Sequence, residues 1–389
     1  NNHFSRAKVL NSLKDIDYVA INYASDATNP IKLLKPNFYF KGKDYLNKKD
    51  LTRRLYKEVK AIKQIKGRII YTNTPLNSST EIINKTFSYV YNQKLNSFLQ
   101  NKNKSKIYEN CLLQLEKVKK LKVLLIGDAI IDQYDTVQVL NKPIKENLLA
   151  TRYLNTEMYL GGVFAAATNL SQFNKNITVC TTIGNDKDLT SKIKNFKKQF
   201  KTKIFKEADK VTTRKKRYID VGYNKKINEV YFMDNNFLGK SNLKKILNFL
   251  ENKINNYDLV ILLDYGHSFI NDKIYDCLKR KSKFLAINCQ TNSANLGFNL
   301  ITKYKKADYI CIDEPELRLA TSNNKDNIAN VVTKDLIKKI NCKNVTITRG
   351  QNGCFSYINN KKLFVPAVIS DEVIDTIGAG DVFLVISSL

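Results

Sequence analysis

Close to its C-terminal end the chain sets three small residues directly before an aspartate, Gly378-Ala379-Gly380-Asp381, within the run Asp375-Thr376-Ile377-Gly378-Ala379-Gly380-Asp381. An apolar stretch that begins a helix follows. Small residues at a helix start leave backbone N–H groups uncovered, and the helix dipole adds partial positive charge there, so the segment can cradle an anion. The same field holds a first-turn aspartate as a carboxylate. Asp381 is thereby placed to take a proton from a hydroxyl attacking a bound phosphate, a contribution of about 10²–10⁴ in rate for a well-placed base. Taken alone, the segment also reads as a glycine-rich turn whose aspartate is only an N-terminal helix charge.

Other chemistry-bearing residues stand at the ends of apolar runs. Asp128 and Asp132 follow Val123–Gly127, at the carboxyl end of a strand, where open α/β sheets bind ligands; each also reads as a cap. Gly161 and Gly162 open a small-residue helix that permits close approach of a ligand, and Asn169 lies two turns on along the same face. Tight helix packing explains those small residues equally well. Thr212–Arg217 (TTRKKR) offers Lys215 and Arg217 to an anionic group or, as a basic strand, to solvent. Asp264-Tyr265-Gly266-His267, Asp313-Glu314-Pro315-Glu316 and Thr348-Arg349-Gly350-Gln351-Asn352-Gly353 each follow another apolar run. Each also reads as an ordinary strand-end turn.

Positioning these residues requires alternating strands and helices. From Leu121 onward, strand-like runs at Val123–Ile126, Ile177–Ile183, Leu259–Leu263, Phe284–Ile287, Tyr309–Ile312 and Val345–Thr348 alternate with helical patterns at 162–174, 187–200, 241–255, 271–281 and 326–340. This predicts βαβ units and a mainly parallel α/β sheet covered on both faces. Alternating polar and apolar residues over 136–160 and 213–233 predict a small separate β-sheet. Residues 88–120 are polar with apolar residues at helical spacing, a linking helix. Residues 1–87 carry short apolar runs (Tyr18–Tyr23, Phe38–Phe40, Arg68–Tyr71) and read as the tail of another α/β domain.

In this order the motifs resemble those of ribokinase-like (PfkB) sugar kinases, over about 260 residues. The resemblance implies a three-layer sandwich with a small β lid over residues 121–389. It implies ATP and Mg²⁺ as cofactors, a small-molecule sugar as substrate, and Asp381 as base beside a Gly378–Gly380 anion hole. Asp128, Asp132, Gly161, Gly162, Asn169 and Asp264 would face the sugar, and Lys215 and Arg217 its phosphate. Asp313, Glu316, Thr348, Arg349, Gly350 and Gly353 would border the nucleotide, with Glu316 organising Mg²⁺ through water. Within the family the pattern is most similar to bifunctional heptose-7-phosphate kinase and nucleotidyltransferase proteins, which act in cell-envelope sugar synthesis. Two departures from that pattern are Asp313, in place of an asparagine, and Asn288-Cys289-Gln290-Thr291-Asn292, in place of a D-P-K stretch.

Leu34-Lys35-Pro36-Asn37, Phe40-Lys41-Gly42-Lys43-Asp44-Tyr45 and Ser78-Ser79-Thr80-Glu81-Ile82-Ile83 resemble elements of the transferase, which implies a partial Rossmann-like nucleotidyltransferase domain over 1–87. Lys41 and Ser79 would face nucleotide or phosphate, or be loop residues of an inert fold. The HxGH motif of such transferases does not occur, because the only histidines are His3 and His267. With eight residues after Asp381 and no initiator Met, the sequence is expected to be a fragment cut at both ends.

Composition narrows the alternatives. Lys+Arg 65 against Asp+Glu 36 gives a formal charge of +29, but the lysines are dispersed and no RNP or zinc-finger spacing occurs, so no specific nucleic-acid partner is expected. The seven cysteines form no CxxC pair, as expected of free buried thiols in a reducing cytoplasm. No apolar run is long enough to span a membrane. The resemblance allows a homodimer. Two rival readings are a noncatalytic sugar- or nucleotide-binding regulator, opposed by the intact Asp381, and a nucleic-acid binder, motivated by charge alone.

Overall fold

The computed structural model describes residues 3–24, 26–42, 54–72, 93–100, 104–140, 147–234, 238–368 and 376–389. The chain divides into two compact units, Asn1–Tyr91 and Asn92–Leu389. In the first, β1 (Phe38–Gly42) and β2 (Arg68–Thr72) pair in parallel beside helices Thr28–Leu34 and Arg54–Gln64. Ile31, Ala61 and Ile62 form its small core. The apolar run Tyr18–Tyr23 forms no regular element.

The second unit is built on a nine-stranded sheet. Its strands are β3 (Val123–Gly127), β6 (Ile177–Ile183), β7 (Lys201–Lys206), β10 (Leu259–Asp264), β11 (Leu285–Cys289), β12 (Tyr309–Asp313), β13 (Asn344–Thr348), β14 (Cys354–Ile358) and β15 (Lys361–Val365). Their spatial order is β15-β14-β13-β12-β11-β10-β3-β6-β7. Pairing is parallel from β7 to β13 and antiparallel at the β13-β14-β15 edge. The central strands are apolar throughout because both faces are covered. In β3, Leu124 and Ile126 pack on one face with helices Lys240–Lys253 and Asp272–Lys281, whereas Val123 and Leu125 pack on the other with helices Val163–Leu170, Thr190–Gln199 and Ala379–Ser387. This is the three-layer sandwich expected from the alternation of runs.

A second sheet carries β4 (Ala129–Val139), β5 (Thr151–Gly162), β8 (Thr213–Asp220) and β9 (Lys225–Phe232) in the order β5-β4-β8-β9. It stands off the ends of β3 and β6 as a four-stranded lid. The 326–340 segment is not one α-helix: a π-helical stretch, Val331–Leu336, separates two short α turns. Among the described residues all seven cysteines are free, six of them buried and Cys111 exposed. No helix among the described residues is long and apolar enough to cross a membrane.

Candidate active site

The carboxyl ends of β10 to β13, the lid strands β4 and β8, and the start of helix Ala379–Ser387 enclose an open cleft of about 850 Å³. Parallel strands deliver their loops to one end, so residues far apart in sequence meet there.

On one wall, Gly378 caps helix Ala379–Ser387 in the left-handed region, φ 76°, which favours glycine. A Cβ added at Gly378 or Gly380 would meet nothing within 4 Å, so the first turn is uncovered towards the cleft. Asp381 sits in that turn. Burial raises its carboxyl from the ordinary carboxylate range to about 6, Tyr265 and Lys215 pull it down, and Asp132 adds to the rise. The Tyr265 hydroxyl is buried and faces Asp381 without closing a hydrogen bond of regular geometry. Lys215 is 7% exposed and rests over the Tyr231 ring at 5.5 Å. Its ammonium makes no ion pair among the described residues, and burial depresses its pKa while Asp132 acts to raise it.

The lid supplies Asp132, whose Oδ1 accepts from Arg217 Nη1 at 2.6 Å. Arg217 also reaches Glu229 Oε1 through Nη2 at 3.2 Å and lies over the Tyr134 ring at 5.4 Å. Its charge is thus shared between two carboxylates, and Lys215 is the cation left open to a ligand. Gly161 makes room for this pair: a Cβ there would stand 2.0 Å from Asp132 Oδ2. Gly162, at φ 56°, lets the helix start against the Asp128 carbonyl, where a Cβ would stand at 2.5 Å.

The opposite wall is a helix cap. Asp313 Oδ1 accepts from Glu316 N at 2.7 Å and Glu316 Oε2 from Asp313 N at 3.0 Å, a reciprocal capping box on helix Glu314–Thr321. Aspartate accepts as asparagine would, so the departure at Asp313 keeps the cap. Glu316 Oε1 also accepts from Thr291 N at 3.0 Å, tying the β11 loop to the cap. Burial, then Asp313, raise the Glu316 carboxyl to about 8. Glu314 holds both Arg318 and Arg349, at 2.7 and 2.8 Å. The Thr348–Gly353 turn closes through Arg349 N to Gly353 O at 2.8 Å. Gly353 is confined by Val365 O, 2.0 Å from where a Cβ would stand.

Of the residues expected to form the site, Asp132, Gly162, Lys215, Arg217, Asp313, Glu316, Thr348, Arg349, Gly350, Gly378, Gly380 and Asp381 line this cleft. Gly161, Gly353 and Ala379 are adjacent backbone that shapes it. Three others do different work. Asp128 is buried and accepts from the backbone of Tyr265, His267 and Phe269, holding the loop after β10; burial and Asp264 push its carboxyl up. Asp264 binds Tyr304, Lys303 and Gly266 N behind the cleft wall. Asn169 is exposed and donates back to Ala165 O at 3.0 Å on its own helix. In the first unit Lys41 pairs with buried Glu58 at 2.7 Å. Ser79 and Asp375 lie outside the described residues. Sequence reading missed Glu229, Thr291 and Asn288 as cleft or partner residues; only the carboxylate on a strand opposite two cations signals Glu229.

No group of three or more His, Cys, Asp or Glu suited to hold a metal occurs among the described residues. The cleft nonetheless fits Mg²⁺, which keeps several waters and leans on one or two carboxylates plus substrate phosphates. Burial favours the protonated form of Glu316. A bound cation would favour its carboxylate, whose oxygens each take a single backbone N–H and would keep a lone pair for such a water.

A three-layer sandwich with a lid, and a cleft at the carboxyl ends of its sheet, is the architecture of ribokinase-like kinases. The chain belongs to the pfkB family of carbohydrate kinases, whose sequence profile matches residues 120–385. It is 22% identical over 273 residues to the bifunctional protein HldE of Trichlorobacter lovleyi, covering 69% of this chain and 55% of that one. With the bifunctional protein HldE of Helicobacter hepaticus it shares 25% over 271 residues, covering 67% and 54%. The chain therefore spans about half the length of these curated relatives. Its fold matches ribokinase from Thermotoga maritima with a TM-score of 0.52 at 21% identity, over 68% of this chain and 83% of that one. Ribokinase from Giardia lamblia matches at 0.53 and 16%, over 68% and 82%.

Proposed function

We propose that this chain transfers the γ-phosphoryl group of ATP to a hydroxyl of a sugar phosphate of the heptose 7-phosphate type, giving a sugar 1-phosphate. The observation that carries the reading is Asp381, in the first turn of an uncovered helix start and in one cleft with Asp132 and Lys215. The acceptor lies between the lid and Gly378–Asp381, the nucleotide along 313–316 and 348–353. Asp132, held by Arg217, accepts from acceptor hydroxyls and orients them. Asp381, ionised above about pH 6, takes the proton of the attacking hydroxyl. The Gly378–Gly380 segment and the helix dipole stabilise charge on the transferring group, which is where most catalysis of phosphoryl transfer resides. Mg²⁺, when bound, neutralises phosphate charge. Lys215 supplies the cation for the acceptor's own phosphate.

We read the first unit as part of a nucleotidyltransferase-like domain without transfer activity, because the chain contains no HxGH. Free thiols support a reducing cytoplasm. The test is ATP- and Mg²⁺-dependent phosphorylation across a panel of sugars and sugar phosphates. Asp381→Asn should lower kcat at least about 10²-fold with ATP affinity retained. Wild-type turnover in that variant removes the assignment, and pyrophosphate release from CTP or ATP with a sugar 1-phosphate removes the reading of the first unit.

A further inference from the structure

Asn288, the residue before the end of β11, lines the cleft and is 6% exposed. Its Nδ2 donates to the Cys311 carbonyl of β12 at 2.8 Å. Its Oδ1 is buried and accepts from nothing among the described residues. Chemistry fixes this orientation, because turning the carboxamide over would set two acceptor oxygens against each other. The free atom is therefore an acceptor.

Thr291 and Asn292 of the Asn288–Asn292 run are committed to the loop, whereas Gln290 lines the cleft beside Asn288. Thr291 N binds Glu316, Thr291 Oγ1 donates to Asn299 O at 3.0 Å, and Asn292 Nδ2 donates to Tyr265 O at 2.8 Å. Asn288 Oδ1 is the buried acceptor of this run that has no donor among the described residues, in a side chain that lines the cleft. Buried acceptors in folded proteins nearly always find a donor. A phosphate oxygen cannot be that donor. Asp132, Asp313, Glu314, Glu316 and Asp381 already line the cleft, so a neutral acceptor adds direction without a further charge to repel phosphate.

We propose that Asn288 is a specificity-determining residue, its Oδ1 accepting a hydrogen bond from a hydroxyl-type donor of the bound ligand. The two sources of such a donor are a hydroxyl of the acceptor sugar and a water carried by Mg²⁺. The assignment rests on the kinase reading of the cleft. A site built to bond a ligand hydroxyl discriminates strongly against a ligand lacking it, since its own polar group is then stranded.

The experiment is calorimetric titration of wild type and Asn288→Leu with ADP, MgADP, ribose, fructose 6-phosphate and a heptose 7-phosphate, together with single-deoxy analogues of each sugar. We expect a loss of about tenfold or more for one ligand class. A loss confined to a sugar, absent for one of its deoxy analogues, assigns the donor to that sugar's hydroxyl. A loss for MgADP but not for ADP assigns it to metal-bound water. Affinities all within twofold of wild type, at an unchanged melting temperature, overturn the proposal. If the leucine variant does not fold, Asn288→Ala decides: it removes the acceptor with a smaller side chain, so the penalty for the critical deoxy analogue, or the MgADP-to-ADP affinity ratio, must shrink. Neither changing overturns the proposal equally. Phosphorylation by wild type is scored separately, so a working kinase whose Asn288 variants bind normally loses only this inference.

Discussion

If Asp381 is the base, its raised carboxyl must appear in the pH profile. A carboxylate of ordinary pKa, 3.8, stays more than nine-tenths ionised at pH 5, and its enzyme would hold its rate there. Burial sets Asp381 at about 6, so the ionised fraction falls from about nine-tenths at pH 7 to about one-tenth at pH 5. Because the base must be ionised, kcat/KM should drop about tenfold over that interval, with the acid limb centred near 6. Phosphate groups also titrate near 6, so the limb alone does not identify its owner. Tyr265→Phe does. The hydroxyl facing Asp381 acts to lower that carboxyl, and its removal should move the limb to higher pH while leaving phosphate ionisation untouched. The assay is a coupled ADP-release rate at saturating MgATP from pH 4.5 to 9, with folding checked by circular dichroism at each end. A flat rate down to pH 5, or a limb that Tyr265→Phe does not move, refutes the assignment of Asp381.

The same burial has a stability consequence: the folded pKa of Asp381 lies above the unfolded one, so its contribution to stability is full below about pH 4 and lost as pH rises through about 6. Asp381→Asn should therefore raise the melting temperature at pH 7 and leave it unchanged near pH 3.5, as read by calorimetry. Gly161→Ala drives a Cβ against Asp132 Oδ2 and should weaken acceptor binding about tenfold or more with nucleotide affinity unchanged, measured by titration. Lys215→Met should raise KM about tenfold or more for a phosphorylated acceptor alone. Arg217→Ala frees Asp132 from the cation that orients it, so it should impair both acceptor classes, with a modest loss in denaturant unfolding because Asp132 is half-buried and Glu229 exposed. Asn169→Ala, on the exposed side of its helix, should leave kcat/KM within about twofold.

The central strands were legible because burial on both faces removes polar residues from them, as in Val123–Ile126 and Leu259–Leu263. β7 was not, since its exposed lysines at 201, 203 and 206 break any apolar run. Helix Glu314–Thr321 was hidden inside a motif read for its chemistry, although Asp313 and Glu316 at cap spacing announce a helix start. The 326–340 periodicity was sound as a pattern, but periodicity does not report the wider π turns of Val331–Leu336.

Asp128 and Asp132 show where the sequence runs out at the site itself. Both follow the same strand, and both were assigned to the sugar. What separates them is the chain that crosses each. Asp128 meets the amides of Tyr265, His267 and Phe269, more than a hundred residues downstream, and is consumed in holding them. Asp132 meets Arg217, and the absent Cβ of Gly161 leaves its second oxygen room. The holding aspartate fixes the loop that carries Tyr265, and Tyr265 faces the base. A change at Asp128 should thus reach catalysis through Tyr265, as a shifted acid limb, whereas a change at Asp132 should reach it through acceptor affinity.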